Sequence, residues 1–503
     1  MRMETYGMFI GGKWVKSKSQ KYMDVINPYN EKVIAKVPEG NEEDVAEAVK
    51  VAKKSFEAGV WSKVTPSERQ AVLLRIADLI EKDIDRLARL ESENQGKTIK
   101  YARESDFPFI IDTFRFFAGA ARIFEGIAAN EYSGMGTSFI RREPVGVVSC
   151  IVPWNYPLYI GAWQIAPALA AGNSIVAKPA SYTPLTLLEF AASAKRAGLP
   201  DGILNVITGK GDTVGKELVT NPDVDMISFT GDTSTGKEIM TLASSTVKIL
   251  HLELGGKAPA IILSDTNLDA AAEGCAVGAF WNSGEDCTAV TRVLVHETQH
   301  DTFVERLINI AKKFRLGNQL DENTDMGPLV SKRQQERVKN YVEIAVKQGA
   351  KIECGGKTRS PGYFFEPTIL TNVKQHDKVC QEEVFGPVLI VQPYKDVNEA
   401  VKMANDVQYG LAASVWGSHI KDCIRVVNEL KFGTVWINEH GILVNEMPHG
   451  GYKQSGFGKD MSILSLEEYT KVKHVYIDQT GLVRKPWHYV VYGKKSENKG
   501  DRQ

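Results

Sequence analysis

Three residues that lie far apart in the sequence could together perform acyl-transfer chemistry. Cys287 follows an apolar run that stops at the turn residue Gly284, and its thiol is a soft nucleophile. Glu253 could act as a carboxylate base, and Asn155 could stabilise an oxyanion through a neutral amide donor. A buried inert thiol, a helix-facing glutamate and a capping asparagine are the structural alternatives to this predicted covalent site.

The bulk composition is ordinary for a soluble globular protein. The chain has 503 residues, of which 43% are hydrophobic and 24% charged, so two or three domains are predicted. A formal net charge of −1 argues against nucleic-acid and membrane-surface partners. The N-terminal residues are polar, and no apolar stretch is long enough to span a membrane. We therefore predict a cytoplasmic protein.

The cysteine pattern indicates free thiols in a reducing compartment. Six cysteines are scattered along the chain without a CxxC pair. None has a histidine at the spacing typical of metal ligands. The sequence therefore predicts neither a disulfide framework nor a metal site.

Strands and helices alternate on both sides of the candidate nucleophile. Before it, strands are predicted at 145–152, 174–177, 204–207, 226–229 and 249–253, and helices at 160–171 and 185–197. Strands without polar alternation are typical of a parallel sheet covered on both faces, which predicts a doubly wound, dinucleotide-binding half. After it, strands are predicted at 292–295, 388–391, 413–416 and 434–437, and helices at 303–314, 334–348 and 397–405.

The segments outside these two α/β series predict a long helical region near the N-terminus and two elements that contact other subunits. Helix starts are expected at Asn41 and Ser67, and a helical region at 84–125. Residues 131–143 are expected to form a hairpin that leaves the globule, and 473–492 an arm that pairs with a neighbouring subunit. Together these two segments predict a homo-oligomer, a tetramer or a dimer.

The segment 229–237 is a candidate phosphate-binding turn between a strand and a helix. Gly231 and Gly236 mimic the spacing of a P-loop, but Glu238 stands where Ser or Thr must hold the metal. A dinucleotide site is therefore favoured over a nucleotide triphosphatase, because glycines let backbone N–H groups approach a pyrophosphate. Lys178 ends another parallel strand, where it could bind ribose or phosphate or remain a solvated surface lysine.

A series of motifs resembles the aldehyde dehydrogenase superfamily from about residue 8 to residue 480. The motifs are PWNYP at 153–157, KP at 178–179, FTG at 229–231, ELGGK at 253–257, GEDC at 284–287, EVFGP at 383–387 and GYKQSG at 451–456. The resemblance implies an α/β fold with an NAD(P)-binding domain, a catalytic domain and a small β oligomerisation element. The corresponding boundaries are 1–125 with 144–252, 253–468, and 126–143 with 469–493, followed by a disordered tail at 494–503.

The resemblance also implies a role for each matching residue. Cys287 is the implied nucleophile, Glu253 the general base, and Asn155 the oxyanion donor together with the Cys287 backbone N–H. The implied cofactor contacts are Trp154, Lys178, Ser181, Gly211, Gly231, Gly236, Glu383 and Phe385. The implied reaction is oxidation of an aldehyde to its carboxylic acid through a thiohemiacetal and a thioester, with NAD or NADP as hydride acceptor.

Ser181 bears on the choice of cofactor. NAD-preferring members of the superfamily usually have a glutamate three positions after the motif lysine, where this chain has Ser181. A carboxylate there would repel a 2′-phosphate, whereas a hydroxyl can donate a hydrogen bond to it. We therefore predict that NADP is accepted or preferred.

The segments 114–122, 286–289 and 445–451 resemble the aminoaldehyde branch, that is, the γ-aminobutyraldehyde and betaine aldehyde dehydrogenases. A cationic substrate is recognised by a carboxylate with aromatic faces around it. The implied substrate pocket consists of Asp106, Tyr156, Trp163, Trp281 and Asp286. The structural alternatives are a solvated helix residue for Asp106 and core positions for the two tryptophans.

Two details of this pocket leave the substrate open. A bare carboxylate at Asp286 would disfavour the neighbouring thiolate, so Asp286 either points away from the sulfur or pairs with the substrate's ammonium group. His449 stands where some betaine-type enzymes have tryptophan, which weakens the case for a trimethylammonium substrate. Betaine aldehyde, lactaldehyde, glyceraldehyde and succinate semialdehyde remain alternatives to γ-aminobutyraldehyde.

Two other functions compete with a hydrolytic dehydrogenase. A CoA-acylating dehydrogenase can dispense with the general base, so the presence of Glu253 favours hydrolysis. A non-catalytic scaffold would have lost members of the candidate site, but Asn155, Glu253 and Cys287 are all present.

Overall fold

Two large, mostly parallel sheets carry the fold of the computed structural model, which describes residues 4–123 and 130–493. The first sheet has parallel strands at its centre and antiparallel strands at both edges. In spatial order its strands are Gly456–Phe457, Ile249–Glu253, Met226–Thr230, Val147–Ile151, Ser174–Lys178, Leu204–Val206, Met8–Ile10 and Lys13–Val15. Its central strands are buried throughout, as their continuous apolar runs predict.

The second sheet is parallel except for the strand at one edge. In spatial order its strands are Lys351–Cys354, Thr368–Thr371, Val388–Tyr394, Val290–His296, Ala258–Ile262, Ala412–Trp416 and Thr434–Ile437. Smaller sheets join Glu4–Thr5, Lys32–Pro38 and Tyr22–Asn27, Thr358–Arg359 with Phe364–Phe365, and Tyr409–Gly410 with Tyr452–Lys453.

Helices cover both faces of the two sheets and separate their strands along the chain. The α-helices are Glu42–Ala58, Pro66–Lys82, Ile84–Gln95, Ile99–Tyr101, Phe107–Ile123, Pro157–Ala171, Leu185–Arg196, Lys216–Thr220, Thr233–Ala243, Leu268–Phe280, His300–Ala311, Lys332–Lys347, Lys378–Gln381, Val397–Asn405, Ile420–Glu429, Ser462–Glu468 and His488–Tyr492. The predicted α/β architecture, with one doubly wound half before Cys287 and a second α/β series after it, is confirmed.

Local sequence accounts for most helix boundaries. Asn41 caps the first long helix through a reciprocal pair of hydrogen bonds with Asp44, as predicted. The next helix begins at Pro66 and is capped by Thr65, so the predicted start at Ser67 is one residue too late. The predicted helical region from 84 is interrupted at Gly96, whose φ of 105° ends a helix. Residues 124–125 of that region lie outside the described residues.

The strand Ala258–Ile262 is central in its sheet although the sequence pattern does not mark it. Pro259 lies inside the strand, and proline normally argues against a central position because it cannot donate to the ladder. The pairing register shifts between Ala258 and Pro259, so the irregularity absorbs the missing donor. This strand thereby connects Val290–His296 with Ala412–Trp416 in the middle of the second sheet.

The two peripheral segments pair with each other within one chain. The strand Gly136–Pro144 runs antiparallel to Thr470–Asp478 along its whole length. The predicted hairpin at 131–143 is therefore wrong for most of its length, and a single bridge joins Asn130 to Ser138. The apolar patch at 489–492 lies in a short helix, and the predicted tail 494–503 lies outside the described residues.

Hydrophobic clusters fill the space between each sheet and its helices. The first sheet is flanked by one cluster that includes Phe107, Phe114 and Leu169, and by another that includes Val176 and Ile227. The second sheet has its own clusters on its faces. Among the described residues, no helix is both long and apolar enough to cross a membrane.

Candidate active site

A cavity of about 500 Å³ lies at the carboxyl ends of the parallel strands of the first sheet. Asn155 follows one of these strands, Gly231 follows the next, and Glu253 ends the third. Cys287 and the start of the helix Lys332–Lys347 close the cavity from the second half of the chain. The three predicted catalytic residues therefore line one cavity.

Cys287, the predicted nucleophile, follows a turn that few residue types can form. Asn282, Ser283 and Gly284 all have positive φ, at 49°, 58° and 70°. A Cβ atom on Gly284 would lie 2.4 Å from the backbone of Gly386, so only glycine fits there. Glu285 anchors the turn because its buried carboxylate accepts hydrogen bonds from Gln95 Nε2 and the Val330 backbone N–H.

The two glycines after Glu253 bring the nucleophile and a second carboxylate close to it. A Cβ on Gly256 would lie 2.0 Å from the carbonyl oxygen of Cys287. The Gly256 backbone N–H donates to Glu383 Oε1 at 2.7 Å, and a Cβ on Gly255 would lie 2.6 Å from Glu383 Oε2. The ELGGK motif therefore consists of a base followed by two positions where backbone must approach closely.

Cys287 and Glu253 line the cavity and face the buried His449 behind them. The thiol sulfur, a carboxylate oxygen of Glu253 and Nε2 of His449 all lie within 4.8 Å of one another. Burial, and then the carboxylates of Glu253 and Asp286, raise the pKa of the Cys287 thiol well above its usual value. Burial also raises the pKa of Glu253, and His449 partly opposes that rise. The resting site therefore favours a protonated thiol.

Half of the predicted cofactor residues line the cavity. Trp154, Gly231, Glu383 and Phe385 do so, and the Trp154 and Phe385 rings meet edge to face with centroids 5.1 Å apart. Burial raises the pKa of Glu383 to about 8, although the Gly256 N–H lowers it.

The other predicted cofactor residues lie around the cavity without lining it. Lys178 ends its strand as predicted, is 4% exposed, and donates to the Pro179 carbonyl oxygen at 3.1 Å. Burial lowers the pKa of Lys178 to about 8. Ser181 Oγ donates to the Gly209 carbonyl oxygen at 3.0 Å, Gly211 begins a π-helical turn, and a Cβ on Gly236 would meet Leu254.

The cavity fits an anionic dinucleotide at its cofactor end. The helix Thr233–Ala243 begins there, and its N-terminal residues Ser234 and Thr235 line the cavity. Free backbone N–H groups at a helix N-terminus favour a pyrophosphate. The Ser234 N–H already donates to Asp232 Oδ1 at 2.8 Å, and Asp232 also lines the cavity.

Gln334 and Arg337 also line the cavity, where their side chains donate to the carbonyl oxygens of Phe385 and Glu383 at 2.6 Å and 2.7 Å. No sequence motif marks these two residues of the helix Lys332–Lys347. The signal that could have identified them is that they are polar and lie at the start of the predicted helix 334–348.

The predicted aromatic residues meet in one cluster beside the cavity. Tyr156 and Trp163 are buried there together with Ile160, which also lines the cavity. Trp281 packs against the same cluster and stacks on Tyr101 with centroids 4.1 Å apart. The sequence analysis did not identify Phe109 and Tyr159, whose stacked rings complete the cluster with centroids 4.9 Å apart.

The environment of Asp106 differs from both predictions made for it, a substrate-pocket carboxylate and a solvated helix residue. Asp106 is 2% exposed, so it is not a solvated helix residue. It accepts a 2.5 Å hydrogen bond from Nζ of Lys97, which is also buried and lies 4.2 Å from the centroid of the Tyr156 ring. Asp106 is not one of the described residues that line the cavity. Its charge is already balanced by Lys97.

Asp286 is the acidic residue that the structure leaves near the aromatic cluster. Its Oδ2 accepts from the Tyr156 hydroxyl at 2.7 Å, and its Oδ1 accepts from the Thr288 backbone N–H and hydroxyl at 2.6 Å and 2.7 Å. These contacts turn the carboxylate toward Tyr156. Of the two alternatives that the sequence left open, the carboxylate points away from the sulfur, and a pairing with a substrate's ammonium group stays a prediction.

The chain matches one family model along most of its length. The aldehyde dehydrogenase family model matches residues 14–475. Betaine aldehyde dehydrogenase of Bacillus subtilis (strain 168) is 44% identical over 474 residues, which cover 93% of this chain and 96% of that protein. Phenylacetaldehyde dehydrogenase of Pseudomonas fluorescens is 40% identical over 479 residues, which cover 93% and 95%.

Solved structures of similar proteins have the same fold. The NAD⁺ complex of aldehyde dehydrogenase from Bacillus cereus has a TM-score of 0.93 and 42% identity, and the match covers 94% of this chain and 96% of that one. Betaine aldehyde dehydrogenase from Staphylococcus aureus in complex with NAD⁺ has a TM-score of 0.94 and 40% identity, and the match covers 96% of each chain.

Proposed function

The chain belongs to the aldehyde dehydrogenase family, and we propose from that premise that it oxidises an aminoaldehyde to the corresponding carboxylic acid. That the protein is an NAD(P)-dependent aldehyde dehydrogenase follows from the family and its relatives. The observation that supports the finer proposal is the convergence of Cys287, Glu253 and Asn155 on a cavity flanked by aromatic rings and Asp286.

In the first step, we assign the attack on the aldehyde carbonyl carbon to the Cys287 thiolate. The thiol must first lose its proton, and Glu253 is the carboxylate that faces it within 4.8 Å. The resulting oxyanion needs neutral donors, which the Asn155 side chain and the Cys287 backbone N–H supply. A neutral amide stabilises the anion without protonating the sulfur.

A bound nicotinamide would supply the acceptor for the hydride that the carbon attached to sulfur must lose. The residues that would hold it are Trp154, Phe385 and Glu383 around the ring and ribose, with the first turn of Thr233–Ala243 at the pyrophosphate. Their arrangement beside Cys287 places the cofactor end and the nucleophile in one continuous cavity.

In the last step, we assign activation of a water molecule to Glu253. Once the proton from the thiol has passed on to solvent, the carboxylate takes a proton from water, the oxygen attacks the thioester carbon, and the C–S bond breaks with the electron pair on Cys287. Burial raises the pKa of Glu253, so the carboxylate is a stronger base than an exposed glutamate. This role favours hydrolysis over transfer to CoA.

The substrate class follows from charge and aromatic content. An ammonium group binds next to a carboxylate and over aromatic faces. Asp286, held by Tyr156, is a better candidate for this contact than Asp106, which is paired with Lys97. We therefore assign recognition of the substrate's amine to Asp286 and the aromatic cluster.

Betaine aldehyde is the second candidate substrate. The 44% identical relative carries that name, and a ring cluster can also bind a trimethylammonium group. His449 packs against Trp163 with centroids 5.6 Å apart, which leaves a polar ring where a further aromatic face would serve this cation. A primary amine can donate hydrogen bonds to Asp286, whereas a quaternary one cannot.

The cofactor proposal is that NADP is accepted beside NAD. Ser181 carries no charge that would repel a 2′-phosphate, but its hydroxyl proton is directed at the Gly209 carbonyl oxygen. Binding of a 2′-phosphate would therefore require the hydroxyl to rotate. We also propose a cytoplasmic homo-oligomer, for which the exposed side chains Val472, Tyr476 and Ile477 on the peripheral strand offer contact surface.

A panel of aldehydes tests this proposal. The rate of NADH or NADPH formation is measured with γ-aminobutyraldehyde, betaine aldehyde, lactaldehyde, glyceraldehyde and succinate semialdehyde, with and without CoA. We expect the highest kcat/KM for γ-aminobutyraldehyde, no requirement for CoA, and no turnover by Cys287→Ser. A preference for the anionic semialdehyde, or a product that forms only with CoA, would contradict the assignment.

A further inference from the structure

A group of three side chains beside the cavity, which we call the trio, has the donor set of a zinc site. It combines the sulfur of Cys287, a carboxylate oxygen of Glu253 and Nε2 of His449, all within 4.8 Å of one another. Thiolate, imidazole and carboxylate are the ligands that Zn²⁺ selects in proteins, at about 2.0–2.3 Å from the metal.

The ligand atoms of His449 and Glu253 are buried without partners. Glu253 is 2% exposed and His449 is 0% exposed. Within residues 4–123 and 130–493, neither carboxylate oxygen of Glu253 nor Nε2 of His449 has a hydrogen-bond partner. Nε2 lies 3.7 Å from Glu253 Oε1, beyond hydrogen-bond distance. Buried polar atoms without partners are costly, and a cation between them would satisfy both.

The imidazole is held in the orientation that a metal ligand needs. Nδ1 of His449 lies 3.2 Å from the Thr434 hydroxyl, which fixes the ring and leaves Nε2 directed at the trio. The His449 backbone exchanges hydrogen bonds with Asp460 on both sides, at 2.9 Å and 2.8 Å. The ring itself packs on Trp163, so His449 is rigid.

We propose that Cys287, Glu253 and His449 form a binding site for a zinc-like divalent cation that blocks the nucleophile. On binding, a metal–sulfur bond forms and the thiol proton passes to solvent, with no change in oxidation state. The fourth position of the cation opens to the cavity, where water or an inhibitor can occupy it. The binding itself does not depend on the proposed function, but its inhibitory effect does.

The site selects against hard cations. Mg²⁺ and Ca²⁺ require oxygen ligands, and this trio supplies one carboxylate beside a sulfur and a nitrogen. A cation that prefers sulfur and imidazole is therefore favoured. Mg²⁺ added at the same concentration should leave the thiol free.

Equilibrium dialysis of the chelator-treated full-length protein against Zn²⁺, followed by elemental analysis, tests the site. We expect one Zn²⁺ per chain, slower alkylation of Cys287 by iodoacetamide, and loss of aldehyde oxidation that a chelator restores. His449→Phe keeps a ring against Trp163 and should weaken Zn²⁺ binding at least tenfold, and Glu253→Gln should also weaken it. Cys354→Ser, which changes a half-buried thiol outside the site, should bind Zn²⁺ like the parent.

Two results would overturn the site. One is binding of Zn²⁺ by His449→Phe and Glu253→Gln with the affinity of the parent, which would mean that the thiol alone binds. The other is the absence of stoichiometric binding to the parent. If His449→Phe does not fold, as judged by thermal unfolding, Glu253→Gln decides the question. Failure of the proposed function would instead be seen as no aldehyde oxidation by metal-free protein while Zn²⁺ still binds.

Discussion

The cofactor end and the substrate end of the cavity are built from different kinds of contact. At the cofactor end, glycine backbone approaches its neighbours closely, as Gly256 approaches Cys287 and donates to Glu383. At the substrate end, polar side chains pair with each other, Lys97 with Asp106 nine positions away and Tyr156 with Asp286 on a distant segment. Backbone contacts of the first kind leave a motif in the sequence, and side-chain pairs of the second kind do not.

From this difference between the two ends we predict that one added methyl group at the cofactor end, in Gly256→Ala, has the largest effect on activity. The added methyl group of Gly256→Ala would overlap the Cys287 carbonyl oxygen, which lies 2.0 Å from its position. The nucleophile turn must then shift, and a displacement of about 1 Å at a reacting group costs about 10²-fold in rate. Steady-state kcat/KM checks this, and Gly119→Ala, where nothing lies within 4 Å of the Cβ and φ is not positive, is the control for an added methyl group. Wild-type rates for Gly256→Ala would contradict the close-approach argument.

At the substrate end, Asp106→Asn should affect folding more than catalysis. The change leaves the Lys97 ammonium buried at 2% exposure without its closest carboxylate. Removing one partner of a buried ion pair costs about 3–5 kcal/mol of the free energy of unfolding. Urea unfolding measures this loss. A large rise in KM for aminoaldehydes without any loss of stability would instead return Asp106 to the substrate pocket.

Asp286→Asn should separate charged from neutral substrates. Without the carboxylate, an aminoaldehyde loses its ionic partner, and we expect its KM to rise about tenfold, the equivalent of a charge-assisted hydrogen bond of about 1.5 kcal/mol. The KM of a neutral aldehyde of similar length should not change. Loss of the Asp286 charge also lowers the pKa of the neighbouring thiol, since that charge raises it. Equal effects on both substrates would remove Asp286 from amine recognition.

The smallest expected effect is a pH dependence at Lys178. Burial lowers the pKa of Lys178 to about 8, so its ammonium is charged below that pH and becomes neutral as the pH rises through it. We expect the KM for the cofactor to rise about threefold between pH 7 and pH 9 because an ammonium donates more strongly than an amine. Lys178→Arg, which stays charged, should show a flat profile. A rise of the same size in Lys178→Arg would assign the effect to another group.

Much of the fold could be predicted from local patterns. Continuous apolar runs predicted the central strands of the first sheet because such strands are covered by helices on both faces. The strand at Ala258–Ile262 escaped because Pro259 contradicts the local pattern, and only its neighbours in the sheet keep it in place. Pairing of Gly136–Pro144 with Thr470–Asp478 could not be predicted because register depends on a partner more than 300 positions away.

The sequence by itself determined the family of this protein and predicted the residues that would carry its chemistry. A thiol, a carboxylate and an amide within recognisable motifs, with glycines where backbone must approach, predicted the residues that line the cavity. Only the tertiary structure decided how charge is distributed around them, with Lys97 balancing Asp106 and His449 facing Glu253. The reason is physical: a residue's type is local, whereas its electrostatic environment is set by groups that folding brings within a few ångströms.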